Sequence, residues 1–486
     1  MIRALDPLLT ISGSAMARMI RKREVRSVDL VQIHLRRIRE VNPRLNAMVA
    51  DRFDQALAEA RDADLRVARD DPATLPPFLG VPCTVKECFA LTGMPNTGGL
   101  PSRVGHPATS DATTVARLRA AGAIPMGVTN VSELCLWMEA SNPNYGRTNC
   151  AYDQRRTSGG SSGGEGALIG SAASPFGVGS DIGGSIRMPA FFNGVFGHKP
   201  TGGLVPNTGQ FPCAMHGLVR VLATGPICRR AEDLYPLLRI MAGPDGQDSG
   251  CAAMPIEDPS TVSLEGLDVV SVEGDGLLSV SRDLLQAQQR AAKALAARGA
   301  RVRVERVPAM ARAILMWTAT VATGGETAYL DLMADGKPFN LGAEFLRWAV
   351  GRGRHTLPAL GLGLIEAAST RFPPRFEPLL QETKALAEDL ASRLGPGGVL
   401  LYPSHVEVAP LHHKSLLRPI NWIYTGIFNA LKMPVTQVPL GLDARGLPLG
   451  CQVASIPGND HRTIAVALAL EAALGGWSPP GAGASG

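Results

Sequence analysis

The sequence predicts an α/β protein in which crossover units build a largely parallel or mixed sheet, and three observations carry that prediction. Helical periodicity and short apolar strands alternate. A helix through Ala116 leads to a strand ending at Val128, and one opening at Ala167 leads to a strand ending at Val178. The alternation returns with an alanine-, leucine- and glutamine-rich helix over 280–298 and a period-two strand over 301–307. Composition agrees: 486 residues with 54 glycines and 19% charged residues suit a large, tightly packed core.

In chain order, an amphipathic helix is expected over 12–23. A second has Ser27 as N-cap, with Leu30, Val31, His34, Leu35 and Ile38 on one face, and ends at Asn42-Pro43. His34 lies on that apolar stripe and reads as a packed residue. A third helix covers 52–68. After a proline-punctuated loop, Leu79–Val85 reads as a buried strand ending at Lys86. A lysine at a strand end is ordinarily solvated, but the apolar strand before it and Cys88-Phe89-Ala90-Leu91 after it favour burial. A buried lysine with no carboxylate partner gives up its proton readily, and alternation points Glu87 to the other face. A helix over 111–121 and a strand over 124–128 follow. Residues 132–139 are apolar on too many faces for a surface helix.

Ser162-Gly163-Gly164-Glu165 fits a capping box at the head of a buried helix, which leaves Ser161 just outside a helix N-terminus. Phe176 and Val178 alternate into Asp181-Ile182-Gly183-Gly184-Ser185, where a glycine turn can aim successive N–H groups at one point that Ser185 also faces. The alternative is a plain Gly/Ser turn or a phosphate cradle. No Gly-x-x-x-x-Gly-Lys-Ser/Thr is present, and Gly177-Val178-Gly179 lacks the third glycine of a dinucleotide site. Ser185, followed by Ile186 and Arg187, does not fit the Gly-x-Ser-x-Gly elbow either.

Downstream, helices are expected over 229–242 and 376–394, and strands over 269–272 and 398–402. Residues 427–440 rejoin the core, and 479–486 form a loose tail. Residues 309–370 break the pattern. Trp317, Phe345, Leu346, Trp348 and the run 360–365 carry bulk apolar surface, with Arg347, Arg352, Arg354 and His355 interleaved. They read as an insertion over the core.

Gly159-Gly160-Ser161-Ser162-Gly163-Gly164-Glu165, followed by Ser180-Asp181-Ile182-Gly183-Gly184-Ser185-Ile186-Arg187, closely resembles the amidase signature family. So do the segments 80–87, 121–130 and 197–202. Asp181–Ser185, the run 434–441 and Asn459–His461 leading to Trp477 are most similar to the fatty acid amide hydrolase group within it. The resemblance spans nearly the whole chain and is weakest through 309–370. It implies one domain with a large mixed twisted sheet flanked by helices on both faces: a helical segment over 1–75, a core over 76–308, the insertion over 309–370, the core again over 371–478, and the tail.

The same resemblance implies hydrolysis of carboxylic acid amides, and of esters, to acid plus amine or ammonia. Ser185 matches the nucleophile, Ser161 the bridging serine after a cis peptide, and Lys86 the base. The amides of Ile182, Gly183, Gly184 and Ser185 match the oxyanion hole. Cys135, Leu136 and Met138 fall beside the acyl site, although 132–139 reads equally well as core. No histidine falls at a catalytic position of these motifs, against a Ser-His-Asp arrangement. Asp181 and Arg187 brace the turn. N-acyl or fatty acid amides are the expected substrates. The alternatives are an aryl or short-chain amidase, the A-type subunit of a glutamine-dependent tRNA amidotransferase, and a non-catalytic binding module.

A net charge of +5 on 486 residues, without a basic repeat, gives no reason to expect nucleic acid. No apolar run reaches membrane-spanning length, and the N-terminus lacks a signal-peptide h-region; a cytoplasmic protein is expected. The eight cysteines lack metal or disulfide spacing and read as free thiols, and His412-His413 reads as a solvated loop. No metal or cofactor is expected. The partners expected are a small amide substrate and, through 309–370, either a peripheral membrane surface or a second copy of the chain.

Overall fold

Short runs of Val, Ile, Cys and Gly, bounded by turn residues, become buried strands here because both of their faces are covered. A computed structural model of the chain describes residues 5–213, 218, 220–324, 328–371 and 375–481. Its strands are β1 (Met48–Asp51), β2 (Pro82–Lys86), β3 (Ile124–Thr129), β4 (Ser141–Asn142), β5 (Gly146–Arg147), β6 (Phe176–Asp181), β7 (Phe196–Lys199), β8 (Ala223–Cys228), β9 (Asp268–Ser271), β10 (Arg301–Val304), β11 (Val399–Pro403), β12 (Val435–Leu442) and β13 (Pro448–Ala454). Among the described residues, β4 and β5 pair as a small ribbon, and the others form one 11-stranded sheet in the order β1-β3-β2-β6-β8-β7-β12-β13-β11-β9-β10.

The sheet is mixed. β3, β2 and β6 run parallel, as do β10, β9 and β11, and antiparallel pairs join the two groups. Helices flank it, and the fold is a single α/β domain. β2 and β6 are neighbours in register, Thr84 opposite Gly177 and Val85 opposite Val178. Their carboxyl ends therefore bring Lys86 beside Ser180 and the glycine turn, at the end of a parallel pair where α/β folds place ligands.

The insertion forms the helices Ala313–Gly324, Tyr329–Ala334, Leu341–Ala349 and Leu357–Arg371. It has its own small core, in which Tyr329, Met333, Ala359 and Leu360 close over Leu100 and Leu134. The second helix runs on to Leu45, past the expected stop at Asn42-Pro43. Pro43 sits in its last turn, Asn46 caps it in the left-handed region, and the Asn42 side chain accepts from the amides of Ala47 and Met48. The strands β7, β8 and β13 carry glycine or proline that reads locally as turn, and pairing on both sides makes them strands. Of the expected loose tail, 482–486 lie outside the described residues.

Candidate active site

Lys86 is fully buried at the end of β2. Its Nζ donates to Ser161 Oγ at 2.7 Å and to Ser180 Oγ at 2.8 Å. Ser161 follows a cis Gly160–Ser161 peptide. A Cβ at Gly160 would stand 2.3 Å from the Trp137 carbonyl, so only glycine lets the 137–139 segment pack onto this turn. The Ser162 amide donates to the Ser185 carbonyl at 3.3 Å, which ties the two glycine turns together. Lys86, Ser161 and Ser185, far apart in sequence, thus belong to one buried cluster.

The expected capping box does not form. Ser162 makes no side-chain cap. Glu165 instead reaches across the sheet, where Thr84 Oγ1 donates to it at 2.7 Å and Thr129 Oγ1 at 2.9 Å. Burial pushes the Glu165 carboxyl up to about 8, against those hydrogen bonds and the Lys86 charge. The acid within electrostatic reach of Lys86 therefore carries a proton at neutral pH. Glu87 faces elsewhere, accepting from Thr97 Oγ1, the amides of Thr97 and Gly98, and Tyr145 OH.

The turn after β6 is held by a buried ion pair. Arg187 Nε and Nη2 donate to the two Asp181 oxygens at 3.0 and 2.8 Å. Burial would raise Asp181, but the Arg187 charge and its hydrogen bonds prevail and hold the carboxyl at about 2. Asp181 also accepts from the amides of Gly184 at 2.7 Å and Ile186 at 3.1 Å. This corrects the expected oxyanion set, because the Gly184 amide is already taken. Among the described residues, nothing accepts from the amides of Ile182, Gly183 and Ser185. These three are the free donors beside the Ser185 hydroxyl.

Of the three residues expected at the acyl site, Cys135 comes closest to the cluster. Hydrogen bonding with Cys88 pulls its thiol down to about 7 against burial, helped by the Lys86 charge and by Ser161. Leu136 packs on the small core of the insertion, and Met138 is buried in the main core. Leu134 and Cys135 both sit at positive φ, 52° and 58°. Glu133 anchors this wall to the insertion: His355 Nδ1 lies 2.6 Å from Glu133 Oε1, and the Thr356 amide donates to Oε2 at 2.7 Å.

Sequence reasoning missed Ser180, the second hydroxyl on Lys86, although period two places it on the face of Phe176 and Val178. It also missed Trp317 as a neighbour of the turn: its indole Nε1 donates to the Ile182 carbonyl at 2.8 Å. His412, expected in a solvated loop, turns inward to within 3.5 Å of Glu139. His34 is packed as expected, and burial lowers it to about 3, so it is neutral. All eight cysteines are unpaired. Among the described residues, no three His, Cys, Asp or Glu side chains gather as a metal site requires. The arrangement offers a hydroxyl nucleophile, a hydrogen-bonded serine–lysine pair and three amides without an acceptor, the parts needed for acyl transfer.

Comparison with known proteins agrees with that chemistry. The family model described as Amidase matches residues 29–464. Fatty-acid amide hydrolase 2 of Homo sapiens is 46% identical over 492 residues, covering 98% of this chain and 91% of that protein. The A-type subunit of the glutamyl-tRNA(Gln) amidotransferase of Acidothermus cellulolyticus is 30% identical over 496 residues, covering 96% and 95%. A crystal structure of an amidase superposes with a TM-score of 0.78 at 26% identity, covering 96% of this chain and 100% of that one.

Proposed function

This chain belongs to the amidase family and is an amide-hydrolysing enzyme, and from that premise we propose that it cleaves N-acyl amides with extended apolar acyl chains through an acyl-enzyme on Ser185. The observation that carries the chemistry is the buried Lys86–Ser161 contact of 2.7 Å, tied by the Ser162 amide to the Ser185 turn. The Ser185 hydroxyl attacks the carbonyl as its proton passes through Ser161 to Lys86. The oxyanion forms against the amides of Ile182, Gly183 and Ser185. Lys86 returns the proton through Ser161 to the departing amine, a step that amides need because their leaving group is poor. Water then releases the acid by the reverse relay.

The choice of acyl chain rests on two supports: the apolar wall of Leu134 to Met138 closed by the insertion, and the 46% identity to a fatty-acid amide hydrolase along nearly the whole chain. Each buried methylene contributes about 0.8 kcal/mol, close to fourfold in kcat/KM when realised in the transition state. Catalytic efficiency on a series from acetyl to dodecanoyl amides, measured at controlled free-monomer concentration, is expected to climb until the pocket ends. A flat or falling series contradicts the acyl assignment and favours a short-chain amidase.

We further propose that the insertion rests on an anionic lipid surface. Leu346, Trp348, Val350, Leu364 and Ile365 are exposed large hydrophobics, and a surface depression of ≈ 520 Å³ is lined by Leu346, Ala349 and Val350 with Arg347, Arg352 and Arg354. Among the described residues, no helix is long and apolar enough to cross a membrane. Co-sedimentation with anionic vesicles, lost in Leu346→Ser/Trp348→Ser, tests this; a dimer that dissociates in that variant assigns the face to self-association instead. The eight unpaired thiols support a reducing, cytoplasmic setting.

A further inference from the structure

Between Asp181 and Ser185 every backbone carbonyl has a partner, and the partners follow a pattern. Asn429 Nδ2 donates to the Asp181 carbonyl at 2.7 Å, Trp317 Nε1 to Ile182 at 2.8 Å, and Thr425 Oγ1 to Gly183 at 2.7 Å. The Met188 amide donates to the Gly184 carbonyl at 2.7 Å, and the Ser162 amide to the Ser185 carbonyl at 3.3 Å. Among the described residues, the only cis peptides are Gly160–Ser161 and Phe211–Pro212, so these peptides are trans. In a planar trans peptide the C=O and the following N–H point in opposite directions. Clamping a carbonyl therefore aims the next amide the other way. The carbonyls of Asp181, Ile182 and Gly184 are clamped, and their peptides supply the amides of Ile182, Gly183 and Ser185, the three without an acceptor.

Two of those clamps come from the core, Asn429 on the helix Ile423–Ala430 and Met188 on the helix Arg187–Phe192. The third comes from the insertion. Trp317 lies on the helix Ala313–Gly324, and its ring meets Trp422 edge-on with centroids 4.5 Å apart. A Cβ at Gly183 would stand 3.0 Å from the Trp422 ring and 3.6 Å from the Trp317 ring, so both indoles pack on the same peptide. We infer that Trp317 is a positioning residue of the oxyanion hole: its indole N–H fixes the Ile182–Gly183 peptide with the Gly183 amide directed at the developing oxyanion. The segment that covers the acyl chain thereby also sets the strength of a donor at the reacting carbonyl. This rests on the Ser185 acyl-enzyme reading above.

Two variants separate the hydrogen bond from the packing. Trp317→Phe keeps an aromatic ring and deletes the N–H. Trp317→His keeps a ring N–H, its Nε2 overlying the indole Nε1, and deletes the second ring. Full loss of an oxyanion donor costs on the order of 10²–10³ in kcat; for an unfixed donor, about tenfold is expected in Trp317→Phe with KM within about twofold, and recovery to within about threefold of the parent in Trp317→His. Inhibition by a decanoyl trifluoromethyl ketone, which binds as a tetrahedral oxyanion, should weaken by the same factor as kcat/KM falls, while inhibition by decanoate stays unchanged.

Parent-like kcat in Trp317→Phe overturns the inference. So does equal loss in both variants, or a rise in KM with kcat intact, since each assigns Trp317 to packing alone. If Trp317→Phe does not fold, 3-benzothienylalanine at position 317 swaps the N–H for sulfur at constant outline and gives the same decision. Ser185→Ala run in parallel keeps the two readings apart. An active Ser185→Ala removes the acyl-enzyme reading, whereas an inactive one beside a parent-like Trp317→Phe removes only the role of Trp317.

Discussion

The turn at 181–187 and the insertion at 313–371 face the same reaction from opposite sides and are built in opposite ways. The turn is small, largely buried and cross-braced: one Asp–Arg pair with 0% side-chain exposure at either end takes three backbone amides and leaves three others free, with only Ile182 and Gly183 partly exposed. The insertion is long, partly exposed and held to the core at few polar points, chiefly Trp317 on the Ile182 carbonyl and Glu133 on His355 and Thr356. A buried polar network must be satisfied almost atom by atom, so its sequence is tightly specified. An apolar cover needs only bulk and a few anchors, so its sequence is free to vary. On the proposal above, the reacting groups belong to the first region and the choice of acyl length to the second.

The largest effect expected from breaking this division is on the core side. Lys86→Ala removes the amine hydrogen-bonded to Ser161, and amide turnover should fall by on the order of a thousandfold, with a smaller loss on the matched ester, whose alcohol leaves with less help. Steady-state rates on an amide and ester pair of one acyl chain check this. Equal losses on both remove the proton-donor half of the scheme.

A smaller, selective effect is expected at the joint between the regions. Glu133→Ala deletes both anchors of the wall on the insertion. Efficiency on a dodecanoyl amide should drop about tenfold while an acetyl amide changes less than about twofold, since only the long chain reaches the loosened cover. A uniform loss across chain lengths would mean that Glu133 supports the catalytic cluster and not the cover.

The least effect on turnover, and a clear one on stability, is expected behind the site. Glu165 is raised to about 8 in the folded chain and sits at about 4.3 when unfolded. The folded state therefore binds the proton more tightly. The stability this confers is complete below about pH 4 and is lost as pH rises through about 8, at up to about 1.4 kcal/mol per pH unit. Glu165→Gln mimics the protonated acid. Its unfolding free energy relative to the parent should rise between pH 5 and 8, read from denaturant titrations; a constant difference would place the titration elsewhere.

The motifs displayed much of this in advance. Glycines at 159–160 and 183–184 announced tight turns, and Asp181 and Arg187 were readable as bracing one of them, though not as an ion pair. Lys86 at the end of an apolar strand was readable as buried. What stayed hidden depends on partners distant in sequence. Glu165 matches a local capping pattern, yet the hydroxyls of Thr84 and Thr129 across the sheet draw it away. Gly184 looks like a free donor until Asp181 folds back onto it. Trp317 reads as apolar bulk, and only the packed helix shows where its single N–H is directed. In β7 and β8, glycine and proline read as turn because the pairing that overrides them comes from strands far along the chain.

The most direct test of the account is the site of covalent capture. A serine-directed fluorophosphonate incubated with the intact enzyme, followed by peptide mass mapping, should give one adduct per chain, on Ser185, with Ser161 and Ser162 unmodified and amide hydrolysis lost in step with labelling. An adduct on Ser161 or Ser162, or full activity after stoichiometric labelling of Ser185, would contradict it.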